Sequence, residues 1–302
     1  VSVFDDEERR ELVELLRGVS PAVLRVRRPA LDARCRRLGS AALPRKPAAL
    51  LFDVYGTLLV SAAGGDPLSA LSASRGRRTA ASAALEEALA AAGISGGAER
   101  FAREVAELIR GSNDERRALR PFPEVDIEQL LGERFPALSP RAIRRVATLL
   151  EASLNPCAPM PGAAALLARL GRDGRPAGLV SNAQFYTALL IDARLGPQGG
   201  MRRFLPELSF FSYALGVAKP DRAAFDAAAA SLAAMGMSAR DAVYVGNNFD
   251  NDVVPAHRAG FMTVLFAGDE RSFRPPAAAA EIEPDSVVAS LAEFAAIAGL
   301  PR

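Results

Sequence analysis

The feature that most constrains this chain is a series of short apolar runs that stop at polar residues and alternate with helical patterns. The runs lie at 48–55, 176–181, 208–213, 242–246 and 262–266. Continuous apolar runs of that length, bounded by turn residues, are strands buried on both faces. Helical periodicity fills 161–171, 183–195, 221–235 and 252–259 between them. Strand alternating with helix predicts an α/β fold with a doubly wound parallel sheet.

Residues 66–158 break that rhythm. They are too long for one crossover, contain no convincing strand, and show helical patterns near 79–92, 98–110, 126–134 and 140–153. Ser139-Pro140 marks the last start, with Ser as N-cap and Pro at the first helical position. The expected organisation is therefore a core of 48–65 and 159–302 with a helical domain, 66–158, inserted into it. The joints are 58–65 and 155–162. Residues 1–47 form a helical extension, with helices at 4–18 and 21–38 and a proline-bounded linker at 44–47.

Charge and composition narrow the partners. A net charge of +2 over 302 residues gives no electrostatic case for nucleic acid or an anionic membrane. No apolar run reaches membrane-spanning length. Cys35 and Cys157 have no metal-ligand spacing and form no disulfide framework, so a reducing, cytoplasmic setting is expected. The acidic opening around Asp5 and Asp6 does not read as a leader, and Val1 at the start points to sequence missing upstream. Oligomeric state leaves no signal.

Open α/β sheets bind ligands beyond the carboxyl ends of their strands. Here those ends carry Asp53, Tyr55 and Thr57; Ser181 and Asn182; Tyr213, with Lys219 shortly after; and the loop from Gly246 to Asp252. Only Lys46 and Lys219 are lysines, and four of the six asparagines are Asn182, Asn247, Asn248 and Asn251. Residue types that are scarce elsewhere gather at the strand ends.

These residues resemble the four signature motifs of the haloacid dehalogenase (HAD) superfamily. The first is Phe52-Asp53-Val54-Tyr55-Gly56-Thr57, the second Val180-Ser181-Asn182, the third Ala218-Lys219-Pro220, and the fourth Gly246 to Asp252, followed by Ala259-Gly260. The resemblance covers about residues 48–270 and implies a HAD-like, Rossmann-like core with a helical cap. It implies a hydrolase in which Asp53 is the nucleophile of a covalent aspartyl intermediate. Lys219, Ser181 and Tyr55 would complete the catalytic set. Gly56, Thr57 and Asn182 would bind the substrate, a small anionic molecule. Phosphatases of the family bind Mg²⁺, for which the matching groups are Asp53, the Tyr55 carbonyl, Asn247 and Asp252.

Two departures divide the readings. Tyr55 stands where most phosphatases carry an Asp that protonates the leaving oxygen, and tyrosine is a poor base at neutral pH. Asn247 stands where Gly-Asp is usual, which removes one charge from a metal site that Asp250 could restore. The leading expectation is a phosphatase on a small phosphorylated metabolite. The Asp-x-Tyr-Gly-Thr motif is also that of the 2-haloacid dehalogenases, which use no metal and need a cap arginine; Arg75, Arg77 and Arg78 are the candidates. The third expectation is a degenerate HAD-fold binding protein.

Each residue also has a structural reading. Asp53 could simply hydrogen-bond its turn, Ser181 could cap the helix that follows, and Asn247–Asp252 could be Asx turns. His257, the only histidine, reads as structural.

Overall fold

The structure is a computed structural model that describes residues 5–19, 24–38, 42–64, 79–277 and 280–302. Six parallel strands form one sheet in the order β5-β4-β1-β6-β7-β8. They are β1 (Ala49–Phe52), β4 (Ala177–Ser181), β5 (Ser209–Phe211), β6 (Ala242–Gly246), β7 (Met262–Phe266) and β8 (Ser286–Val288). The strands β1, β4, β6 and β7 are buried at every position, which is why they read as unbroken apolar runs. Beside β1 the chain winds to β4 and β5 on one side and to β6, β7 and β8 on the other. That reversal opens a crevice at the carboxyl ends of β1, β4 and β6.

Helices cover both faces. On the core they are α7 (Ala163–Asp173), α8 (Tyr186–Leu195), α9 (Ser212–Leu215), α10 (Ala223–Ala234), α11 (Val254–Arg258) and α12 (Leu291–Ile297). A single π-helical turn, Phe249–Val253, leads into α11. The segment between β1 and β4 carries α3 (Ala80–Ala91), α4 (Gly97–Arg117), α5 (Ile127–Arg134) and α6 (Pro140–Leu154). The Ser139 side chain accepts the Ala142 amide with Pro140 in the first turn, as the sequence predicts.

Three expectations need correction. The two joints are not irregular: β2 (Leu59–Ser61) pairs antiparallel with β3 (Cys157–Pro159), so both connections run through one short ribbon. Pro159 sits at its end, where a missing N–H does least harm. The helix expected over 21–38 is confined to α2 (Ala33–Leu38); residues 24–32 carry no helix. Pro29 explains this, because it removes a donor and turns Arg28 away from helical angles. The run at 208–213 is strand only to Phe211, after which Ser212 begins α9.

The N-terminal helix α1 (Asp6–Gly18), capped by Asp5, lies against both α8 and α6. Its Glu8 is 3% exposed and receives Arg144 of α6 through two 2.7 Å bonds. The same guanidinium reaches Glu128 at 2.8 Å, while Arg9 pairs with Asp192 on α8. Thus α1 joins the helical insertion to the core. Leaving Glu8 buried without its cation is costly, so Arg144→Ala is expected to lower unfolding stability by about 3 kcal/mol. A urea titration that moved by under a third of that would contradict the bridging role.

Candidate active site

Asp53 follows directly after β1, its amide bonded to the Val245 carbonyl at 2.9 Å. The chain then turns tightly: the Val54 carbonyl accepts from the amides of Thr57, Leu58 and Leu59. Gly56 sits in this turn at φ +85°, and a Cβ there would lie 2.7 Å from the Asn247 amide nitrogen and from Ser272. Only glycine fits both the angle and the space.

Around Asp53 the other motifs converge. Its Oδ1 accepts from Ser181 Oγ at 3.0 Å and from Lys219 Nζ at 2.8 Å. Its Oδ2 lies 3.5 Å from the Thr57 hydroxyl, and that hydroxyl lies 3.2 Å from Asn247 Oδ1. Lys219 Nζ also donates to Asp252 Oδ1 at 2.6 Å and to the Val180 carbonyl at 3.1 Å, with the Tyr244 hydroxyl at 2.9 Å. Burial pushes the Asp53 carboxyl up to about 6, against the pull of the Lys219 ammonium. Burial alone would lower the Lys219 ammonium, but Asp252 and Asp53 beside it reverse that and hold it above its ordinary value. The arrangement is a buried cation between two carboxylates, next to a cavity of about 660 Å³.

Not every expected residue faces that centre in the expected way. Asn182 uses its side-chain oxygen and nitrogen on the Lys219 backbone, at 2.7 and 3.1 Å, so it positions the lysine. The Tyr55 hydroxyl is bonded to Thr187 at 2.9 Å and to Glu151. Ser181 caps no helix; α8 starts at Tyr186. Tyr213 stacks on Phe211 and lines a separate groove. His257 is exposed on α11, and Asp250 is exposed as well. Arg75, Arg77 and Arg78 lie outside the described residues.

The metal ligand set changes likewise. Both Asp252 oxygens are engaged, Oδ1 by Lys219 and Tyr244 and Oδ2 by the Asn248 amide at 2.9 Å. No group of three His, Cys, Asp or Glu side chains suited to a metal exists among the described residues. Two hard oxygens share the Thr57 hydroxyl as a neighbour, Asp53 Oδ2 at 3.5 Å and Asn247 Oδ1 at 3.2 Å. Asn247 is held in that orientation by its Nδ2, which donates a hydrogen bond to the Ser272 carbonyl at 2.6 Å. Magnesium is commonly bound by one or two carboxylates completed by substrate phosphate and water, so this pair fits it in that form.

Sequence motifs missed the opposite wall. Glu151 of α6 is 5% exposed, accepts from Asn155 Nδ2 at 2.8 Å and from the Tyr186 and Tyr55 hydroxyls, and lines the same cavity as Asp53. Burial pushes its carboxyl up to about 7. Glu124, also raised by burial, accepts from Ser212 at 2.8 Å and from the Val125 amide. The signal for Glu151 was its spacing: it follows the buried Ala147 by four residues, on the face that the helix buries.

The raised Glu151 value has a consequence for stability. Its folded-state pKa exceeds the unfolded one, so its contribution is complete below about 4.5 and is lost as pH rises through about 7. Glu151→Gln removes this dependence. Relative to wild type the variant should gain about 3 kcal/mol between pH 5 and pH 8.5, read from paired urea titrations. Equal shifts at the two pH values would refute the burial of that charge.

The profile of the haloacid dehalogenase-like hydrolases matches residues 47–260. No curated protein sequence matches the chain. Among solved structures, the L-2-haloacid dehalogenase RSc1362 is similar at 18% identity and a TM-score of 0.50, over 84% of this chain and all of the other. A 2-haloacid dehalogenase from Pseudomonas syringae pv. Tomato DC3000 shares 20% identity over 83% of this chain and 97% of its own, with a TM-score of 0.49. A HAD phosphatase from Thermococcus onnurineus shares 20% identity over 84% and 99%, with a TM-score of 0.46. The family match spans most of the chain and takes in all four motifs: the protein belongs to the haloacid dehalogenase-like hydrolases.

Proposed function

We propose that this hydrolase is a phosphatase acting on a small phosphorylated metabolite through a phosphoaspartyl intermediate on Asp53. The observation that best supports it is the asymmetry of that carboxylate. Oδ1 lies on the cationic side with Ser181 and Lys219, and Oδ2 lies on the Thr57–Asn247 side. Oδ1 attacks phosphorus, and the bond from phosphorus to the leaving oxygen breaks. Ser181 and Lys219 are the donors placed to follow the charge onto the phosphoryl oxygens. The leaving oxygen takes its proton from water, or needs none if it leaves as a carboxylate. Water then attacks phosphorus, releasing phosphate and regenerating Asp53. Asp53 Oδ2 and Asn247 Oδ1 are the groups that would hold Mg²⁺, which would supply charge neutralisation to the phosphoryl group.

Tyr55 contributes no acid at the leaving oxygen, since burial raises its hydroxyl well above the ordinary value and it is turned to Thr187. Acyl phosphates, which leave without a proton, are therefore the most favourable assay substrates. The test is phosphate release from acetyl phosphate with Mg²⁺ and with excess EDTA. Turnover that EDTA removes supports the reading; no turnover in either condition contradicts it.

One observation favours a second reading. With Asp252 tied to Lys219, Asp53 is the one carboxylate left for a metal at this centre among the described residues, and the first motif carries Tyr55. Metal-independent halide displacement by Asp53 would suit that. Chloride release from 2-chloropropionate in EDTA, with no phosphate release from acetyl phosphate, would select it. Absence of both activities would leave a ligand-binding protein of this fold. Among the described residues, no helix is long and apolar enough to cross a membrane.

A further inference from the structure

The cavity above Asp53 has a floor of one polarity and a wall of another. On the floor, Lys219 is paired with Asp53 and Asp252. The wall comes from the helical insertion and carries Glu151 and Glu124, two carboxyls with no cationic partner among the described residues. Glu151 is held by neutral donors: Asn155, Tyr55 and Tyr186. Glu124 is held by the Ser212 hydroxyl, the Val125 amide and, at 3.4 Å, the Gln184 amide. A third acceptor joins them: the Asn113 side-chain carbonyl oxygen on α4 lines the cavity, is buried, and has no hydrogen-bond partner among the described residues.

Two of the donors beside these carboxyls are already committed. Asn155 Nδ2 serves Glu151, and Gln184 Nε2 serves the Val125 carbonyl at 2.7 Å. The other cation lining the cavity, Arg274, donates to the carbonyls of Gly64, Arg271 and Phe273. What remains open on the wall is acceptor capacity. Burying acceptors without donors is unfavourable, and a ligand that brings donors recovers that cost. A ligand that brings a carboxylate would set like charges together in a poorly solvated space.

We propose that Glu151 and Glu124 determine which leaving group the site accepts, favouring substrates whose leaving group carries hydrogen-bond donors, hydroxyl or ammonium, over those that carry a carboxylate. The inference rests on the phosphatase reading and goes beyond it. The floor recognises the phosphoryl group, and the wall recognises the rest of the molecule. Glu151 stands on α6 and Glu124 just before α5, so specificity resides in the insertion while the chemistry resides at the strand ends.

The test compares kcat/KM for O-phosphoethanolamine, glycerol 3-phosphate and 2-phosphoglycolate, in wild type, Glu151→Gln and Glu124→Gln. Acetyl phosphate, whose leaving group carries no donor, reports whether the phosphatase reading itself holds. Circular dichroism and a urea titration check that each variant is folded. The expected result in wild type is a preference for both donor-bearing substrates over phosphoglycolate of about tenfold or more. Each Gln variant should reduce that ratio severalfold, most for the ammonium substrate. A larger effect on phosphoethanolamine than on glycerol phosphate would mark an ammonium site, and equal effects a hydroxyl site. Acetyl phosphate turnover with a wild-type ratio of one or below would overturn this inference and leave the phosphatase reading standing. So would a ratio that neither folded variant changes. Failure to hydrolyse acetyl phosphate would overturn both.

Discussion

Asp53→Asn is expected to lower turnover by about 10⁴-fold or more while leaving the protein folded. The amide has the shape of the carboxylate but no nucleophilic anionic oxygen. Stability should not suffer. Asp53 is buried, and its carboxyl is pushed up to about 6, so at neutral pH its charge is held at some cost. The variant removes that charge and leaves Lys219 paired with Asp252 at 2.6 Å. The informative outcome is thus a split: activity lost, unfolding midpoint unchanged or raised. Activity within tenfold of wild type would exclude Asp53 as the nucleophile. Loss of both activity and fold would instead make Asp53 a structural strand-end residue, bonding its own turn.

Lys219→Met is expected to act in the opposite sense on stability. It leaves Asp53 and Asp252 buried together, with Ser181, Tyr244 and the Asn248 amide as their nearest donors. Removing one partner from a buried ionic group costs about 3–5 kcal/mol, and here two like charges remain. The loss should be larger at pH 8 than at pH 5, because a carboxyl that can take a proton relieves the repulsion. Adding Asp252→Asn to Lys219→Met should restore much of the stability and none of the activity. Urea titrations of the single and double variants at both pH values test this. A stable single variant would mean that Lys219 is not the counter-charge its contacts describe.

Much of the fold was legible because parallel strands buried on both faces leave unbroken apolar runs. The strands at 242–246 and 262–266 coincide with Ala242–Gly246 and Met262–Phe266. One edge of the sheet was not legible: β8 is three residues long and, unlike β5, lies in no longer apolar run. The β2–β3 ribbon escaped notice because its two halves are far apart in sequence. The N-terminal helix was visible as an amphipathic pattern, but its partner Arg144 was not, since a pairing across the fold leaves no local trace.

The candidate site divides the same way. Residues at strand ends were visible because position alone selects them: Asp53, Ser181, Lys219 and Asp252 meet within hydrogen-bond distance. Their detailed allocation was not. The sequence does not reveal that Asn182 holds the lysine backbone, that Asp252 faces the lysine with both oxygens engaged, or that Tyr55 turns to Thr187. Tyr244 lies inside β6, among its apolar residues, yet its hydroxyl completes the shell around Lys219. The wall residues Glu124 and Glu151 lie in the insertion, where an acid on an amphipathic helix looks like any other surface charge until the fold buries it.

The most direct measurement is an acid-quenched single turnover with acetyl phosphate labelled at phosphorus, on wild type and Asp53→Asn. The expected result is one transient, hydroxylamine-sensitive label per wild-type chain, mapping to the peptide that contains Asp53, and none in the variant. Continued turnover with no label on Asp53, or equal labelling of the variant, would contradict nucleophilic catalysis by this residue.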